Sequence, residues 1–272
     1  MSVYKLTDLR DNSTNWKINV KILSIWNHPP NSHGEIMTMI LHDDKNNRVD
    51  ATIPQGNYHN PFRPFLKPGT WIHISDFRVI VPQSRVRYSS FCFHIKFIWE
   101  TSVYPLPELV KRDFFDFIFP IDLKYPCLED WDYVTDAMSE VTNISAIKKF
   151  PFVCRQGETD YESRYVSFEL LDNMGEKMKC YAVGRCCELF VINFSKCISS
   201  ASYNYQPIVA IVRFWRIAEI EGENVLKSEF GCSRIYLNPT NFPEIDIQSY
   251  IRGFEDYDEL PENPRMEVIE EN

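Results

Sequence analysis

The sequence predicts an all-β protein with short helices, built as two tandem five-stranded Greek-key barrels. Three observations predict it. Aromatic residues make up 14% of the 272 residues while glycine is scarce at 9, a composition that favours sheets punctuated by short polar turns. Several stretches alternate apolar and polar residues with the period of two that a half-buried strand requires. The series strand, long loop, strand, turn, strand, helix, hairpin occurs twice along the chain.

The first series opens with "WKINVKILSIW", which sets Trp16, Ile18, Val20 and Ile22 on one face and Lys17, Asn19 and Lys21 on the other. The polar stretch "NHPPNSHG" is a loop. "EIMTMILHDD" and "NRVDATIP" are two strands joined by a turn rich in Asp and Asn, residues whose short side chains bond the local backbone. "NPFRPFLKPG" reads as a helical turn bounded by prolines. "TWIHISDFRVIV" and "FCFHIKFIW" form a hairpin, with Phe91, Phe93, Ile95, Phe97 and Trp99 on one face.

The second series opens less cleanly, with "YVTDAMSEVTNI". "YVSFELLDNMGEKMKCYAV" then matches "IMTMILHDDKNNRVDATIP" in pattern, with Leu41 and Leu171 at equivalent places. Its last strand alternates Lys177, Lys179 and Tyr181 with Met178 and Cys180, so one face is basic and the other apolar. "CCELFVINFSKC" reads as a helix with Leu189, Phe190, Ile192 and Phe194 on one side. "PIVAIVRFWRIAEIEG" and "NVLKSEFGCSRIYL" close the unit as a hairpin. A helix between strands three and four of such a barrel is the order of the OB-fold, and two copies fit the length. The expected division is a first OB-fold at 1–103, a linker at 104–132, a second OB-fold at 133–254 and an acidic tail at 255–272. The linker carries Phe114, Phe115, Phe117 and Phe119, which argues for docking on a domain. The tail has little to bury and is expected to be disordered.

Charge is uneven. The net −9 divides into +4 over residues 1–100, −5 over 101–241 and −8 over 242–272. All 6 histidines lie in the first segment. The basic front is compatible with a polyanion partner. No apolar run is long enough for a membrane span, and "MSVYKLTDLR" is too charged for a signal peptide, so neither a membrane partner nor secretion is expected. The 8 cysteines are then expected to be reduced, and with no C-x-x-C pair no zinc site is expected. Cys186 and Cys187 open a helix, where a thiolate could be stabilised, but neighbouring cysteines with no ligand-spaced partners are read as structural. There is no P-loop, G-x-S-x-G or H-E-x-x-H. No catalytic residue, cofactor or small-molecule substrate is expected, and the chain is not read as an enzyme.

The ordered series resembles the tandem single-stranded-DNA-binding OB-folds of the replication protein A large subunit, and in particular its diverged plant-type relatives. "LTDLRDNSTNWKINVKI", "RVDATIP", "ETSV" at 100–103, "FDFIFPIDL" at 115–123, and "YLNPTNFPE" at 236–244 with "YIRGF" carry the resemblance, from Val3 to about Phe254. It implies binding of single strands, with bases stacked on aromatics and phosphates held by Arg and Lys, in replication, recombination or repair in the nucleus. Stacking suits this task because every base has a π-face. The family places one stacker at the end of strand three and one in or beside the loop between strands four and five. At the strand-three positions this chain has Pro54 and Val183, which cannot stack on a base as an aromatic does. Ile220 lies near the second barrel's other stacker. The zinc-containing third OB domain of that subunit has no counterpart in these residues, so trimer assembly by that route is not expected.

The candidate nucleic-acid-binding residues are Trp26, Arg48, Arg85, Arg87 and Tyr88 in the first barrel and Lys177, Lys179 and Tyr181 in the second. Trp26 lies where the first strand meets the long loop. Arg85, Arg87 and Tyr88 cluster at the loop between strands four and five. Tyr181 shares the face of Lys177 and Lys179 and stands in for the missing platform. His28, His33, Arg155, Arg164, Arg213 and Arg216 are read as surface or core residues. The acidic loop "AEIEGEN" makes the first barrel the main expected site for single-stranded DNA, or RNA. The competing expectation is a protein-interaction subunit that keeps the fold and has lost most of its nucleic-acid affinity.

Overall fold

The computed structural model describes residues 3–27, 36–54, 62, 64–82, 87–127, 133–149, 164–199, 207–242, 245 and 247. The chain divides into two compact units, Met1–Phe114 and Phe115–Asn272. The expected linker is therefore shared between them.

In the first unit a 3₁₀ turn, Leu6–Asp8, packs Leu6 and Leu9 under the sheet. The strands are β1 (Lys17–Asn27), β2 (Ile36–His42), β3 (Arg48–Pro54), β4 (Trp71–Ser75), β5 (Arg78–Ile80), β6 (His94–Lys96) and β7 (Ser102–Pro105). They run in the order β5-β6-β3-β2-β1-β4-β7, antiparallel except for the parallel pair β3 and β6. The alternation of the sequence reads directly into the core: Trp16, Ile18, Val20 and Ile22 are buried with Met39, Leu41, Val49, Ala51, Ile53, Ile72, Ile74, Ile95 and Phe97. Burying side chains of this size stabilises the fold by about 1.5–3 kcal/mol each. Phe91 and Phe93 pack on the same core, but Trp99 is 71% exposed, because β6 ends at Lys96 and Trp99 sits in the turn that the Thr101 N–H closes on the Ile98 carbonyl. The proline-bounded segment makes one turn, with the Phe65 N–H donating to the Phe62 carbonyl.

The second unit repeats this plan in a closed circuit. A short helix α1 (Pro120–Lys124) precedes β8 (Val134–Thr142), β9 (Lys148–Lys149), β10 (Arg164–Leu171), β11 (Lys177–Val183), helix α2 (Arg185–Ser199), β12 (Val209–Ile220), β13 (Glu223–Ser228) and β14 (Arg234–Leu237). The pairs β8 with β10, β10 with β11, β11 with β13, β13 with β12 and β12 with β8 close the barrel. Again the contact of third and fifth strands, β11 with β13, is parallel. Gly184, at φ 57, turns the chain from β11 into α2. Phe190 stacks on Phe168 at 4.7 Å and on Phe194 at 5.6 Å. Ile192 does not share that side. At about 100° per residue it lies nearly opposite Phe190, and it is 50% exposed.

The repeat extends to the turns. Asp43 Oδ1 accepts from the N–H groups of Lys45 and Asn47, and Asp172 Oδ1 accepts from those of Met174 and Glu176. Counting back from these aspartates, Leu41 corresponds to Leu170, and it is His42 that corresponds to Leu171. The fourth strand of each unit is bent by one left-handed residue: Asp76 (φ 60) between β4 and β5, and Phe214 (φ 61) at a bulge in β12. Its first half pairs with the first and closing strands, and its second half with the fifth. Both units are OB-folds.

Candidate functional site

An OB-fold takes extended ligands on the outer face of strands two and three, between the loop joining strands one and two and that joining strands four and five. In the first unit Trp26 ends β1 on this face and pairs across the sheet with Thr38, which pairs with Thr52. Tyr88 lies in the loop between β5 and β6, which joins strands four and five, and meets Trp26 edge to face, with ring centroids 4.7 Å apart. Trp26 is 7% exposed, and Tyr88 is half-buried. The Tyr88 backbone N–H donates to Asp50 Oδ2 at 2.8 Å, so a buried carboxylate on β3 fixes the part of the loop that carries the ring. Arg87, half-buried, is next in the chain. Arg85, His28 and His33 lie outside the described residues. Pro54 ends β3 without an aromatic ring.

Arg48 sits lower on the same face, and the structure gives it a partner within the chain: its Nη2 donates to the Phe114 carbonyl at 3.3 Å. Trp71, Lys21 and His42 are also buried on this face, and sequence reasoning did not single them out. No local signal finds them, because strand register alone aligns them. His94 contributes no charge here: burial, and then Lys96, lowers its pKa to about 4, and its Nε2 lies 2.9 Å from Thr52 Oγ1.

In the second unit the basic strip of β11 is matched by carboxylates. Lys177 Nζ lies 2.8 Å from Glu169 Oε2, and Lys179 Nζ 3.2 Å from Glu223 Oε2. Burial alone would raise the Glu169 pKa, but hydrogen bonds from Lys177 and Asn143 outweigh it and hold the carboxyl below its ordinary range. Tyr181 is 6% exposed and packs with Ile220 and Val225, beside Tyr165 at 5.4 Å, while Lys179 Nζ lies 5.8 Å from its ring centre. The residue at the strand four-to-five hairpin thus lies on the ring that was expected to be the platform. Val183 is half-buried in the same cluster. Arg164 is exposed, and Arg155 lies outside the described residues.

Residues 7–121 match the family model described as domain of unknown function DUF223. No curated protein matches the chain. Among solved structures it is similar to a chain of a replication protein A heterotrimer bound to single-stranded DNA, with 18% identity and a TM-score of 0.56, over 88% of this chain and 52% of that one. The chain thus spans about half the length of that neighbour. It is also similar to a murine DNA-binding protein bound with double-stranded DNA (13% identity, TM-score 0.39, 81% of this chain and 94% of that one). An OB domain from Thermoplasma acidophilum has 11% identity and a TM-score of 0.30, over 40% of this chain and 90% of its own. The first likeness establishes the fold, in agreement with the strand order above.

Among the described residues no group of three or more His, Cys, Asp or Glu is placed to hold a metal, and no helix is long and apolar enough to cross a membrane. Burial pushes the Cys186 and Cys187 thiols up to about 11 and raises those of Cys180 and Cys232. They are thiols at neutral pH and not nucleophiles. In a native-state alkylation followed by peptide mapping, exposed Cys92 and Cys127 are expected to react fast. Cys180, Cys186, Cys187 and Cys232 should react only after denaturant is added. Fast labelling of Cys186 or Cys187 would contradict this packing.

Proposed function

We propose that the protein binds single-stranded DNA through its first OB-fold, in replication, recombination or repair in the nucleus, as a relative of the replication protein A large subunit. The observation that carries this reading is the edge-to-face pair of Trp26 and Tyr88, beside Arg87, at the mouth of the OB face. An aromatic corner next to a cation suits a nucleotide strand, which offers a flat base and a phosphate at each step, and reads no sequence. The tie from Asp50 to the Tyr88 backbone reduces the ordering cost of binding. The replication protein A neighbour, itself bound to single-stranded DNA, supports the same reading. The protein acts by binding and not as an enzyme, and needs no cofactor.

The second OB-fold contributes little to strand affinity on this reading. A phosphate there must displace Glu169 from Lys177 or Glu223 from Lys179, and a base must displace Ile220 from Tyr181. The same neutralised face favours a role for the second unit in holding a protein partner subunit.

Tyr88→Ala is expected to weaken binding to a labelled oligothymidine roughly 5- to 150-fold, the loss of one stacked base. Tyr88→Phe should retain the affinity, and Arg155→Ala should change it less than about twofold. Equal losses for Tyr88→Ala and Arg155→Ala in an anisotropy titration would remove Tyr88 from the site.

A further inference from the structure

Four side chains form a row across the outer face of the first OB-fold. Trp71 on β4 pairs with Lys21 on β1, Lys21 with His42 on β2, and His42 with Arg48 on β3. Directly paired residues project to the same face, so the row presents an indole, an ammonium, an imidazole and a guanidinium side by side. All four are buried. Residues 112–114 of the chain's own first unit lie across them. Asp113 Oδ1 is 2.7 Å from Lys21 Nζ. The Phe114 ring is edge-on to His42 at 5.4 Å, and His42 is edge-on to Trp71 at 5.4 Å. The Phe114 carbonyl accepts from Arg48, and the Arg112 guanidinium lies 5.6 Å from the Phe114 ring centre.

We propose that this row is a nucleotide subsite which the chain's own 112–114 segment holds closed, its Asp113 carboxylate standing where a phosphate goes and its Phe114 ring where a base goes. The proposal rests on the single-strand reading above and extends it. The row lies four residues down β3 from Thr52, about 13 Å along the strand, on the face that carries Trp26. It therefore continues the strand's path from the aromatic corner. Lys21 and Arg48 each face an oxygen acceptor of the segment, a carboxylate and a carbonyl. A phosphate can replace both: at Arg48 it turns a bond to a neutral carbonyl into a charge-assisted one, and at Lys21 it exchanges one anionic acceptor for another. The corresponding row of the second OB-fold is Val209, Glu140, Leu171 and Lys177. It holds one cation and no ring, so the device belongs to the first unit alone. A strand that uses the row must first release the segment, and its apparent affinity is reduced by the fraction of molecules in which the row is open.

The test compares the wild-type chain with the double variant Asp113→Asn, Phe114→Ala by anisotropy, using a labelled thirty-mer oligothymidine at low salt. The double variant is expected to bind about tenfold tighter. Equal or weaker binding by a folded variant, with the wild type binding, overturns the subsite and leaves the single-strand reading standing. Absence of binding by both overturns the two together. A measurement on the wild type does not depend on the variant's folding. Exposed Lys111 and Arg112 are trypsin sites at the edge of the segment. Cleavage after them should accelerate at least several-fold when saturating oligothymidine releases the segment. Unchanged or slowed cleavage in that bound state overturns the proposal.

Discussion

Replacing Asp136 by alanine is expected to lower the unfolding free energy of the second OB-fold by about 3–5 kcal/mol, the cost of leaving a buried charge without its partner. Asp136 is fully buried. Its Oδ1 accepts from the Phe214 N–H at 3.0 Å and its Oδ2 from the Asp116 N–H at 2.9 Å. The Arg213 guanidinium, also buried, lies 3.9 Å away, between the rings of Phe115 at 4.3 Å and Phe214 at 4.9 Å. One carboxylate thus holds three things: the left-handed bend of β12, the entry of the chain at Asp116, and the charge of Arg213. Alanine removes the acceptor of two backbone N–H donors and the carboxylate beside a buried guanidinium. Asparagine keeps one acceptor but turns an N–H donor towards the other backbone N–H, so Asp136→Asn should recover only part of the loss. Urea dependence of amide hydrogen exchange in β8, β11 and β12 measures it. A loss below about 1 kcal/mol would show that the bend stands without Asp136.

The same residue explains why parts of the fold are hard to read from sequence. "YVTDAMSEVTNI" alternates poorly because β8 is buried on both faces: Ala137 and Val141 lie in the barrel core, while Met138 packs with Phe115 and Phe117 on the opposite face, where Asp136 serves a backbone donor 78 residues away. Nothing local marks Phe214 as left-handed, since an aromatic side chain is strained there and only the carboxylate and the bulge fix it. By contrast, the strands around Ile18, Val20 and Ile22, or Met178 and Cys180, were legible, because one buried face imposes the period of two. The aspartate-closed turns at Asp43 and Asp172 were legible for the same local reason. Trp99 was misplaced because its strand ends before it, and Ile192 because a short helix with apolar residues on two sides does not declare which is inside.

The candidate site divides in the same way. Trp26 and Tyr88 were marked by residue type and by their place beside the two loops, and the structure brings their rings together. Lys177 and Lys179 alternate as the sequence indicates, but alternation does not show which carboxylates face them, and Glu169 and Glu223 come from neighbouring strands. The row of Trp71, Lys21, His42 and Arg48 needs the register of four strands at once. Its cover comes from Asp113, 92 residues beyond Lys21. The two units therefore share an architecture and differ in surface chemistry: a cationic, aromatic face that the chain itself covers in the first, and a neutralised face in the second.

The central claim is that the first OB-fold accepts an unpaired strand by stacking and by phosphate neutralisation. It is tested most directly by titrating the full chain into a thirty-mer single strand at 50 and 200 mM salt, with duplex DNA and the matching RNA alongside. The account predicts saturable binding at low salt that weakens roughly 20- to 100-fold at the higher concentration, as expected for about 3–5 neutralised phosphates, and a clear preference for single strand over duplex. No binding to the single strand at 50 mM salt, or equal binding to duplex, would contradict it.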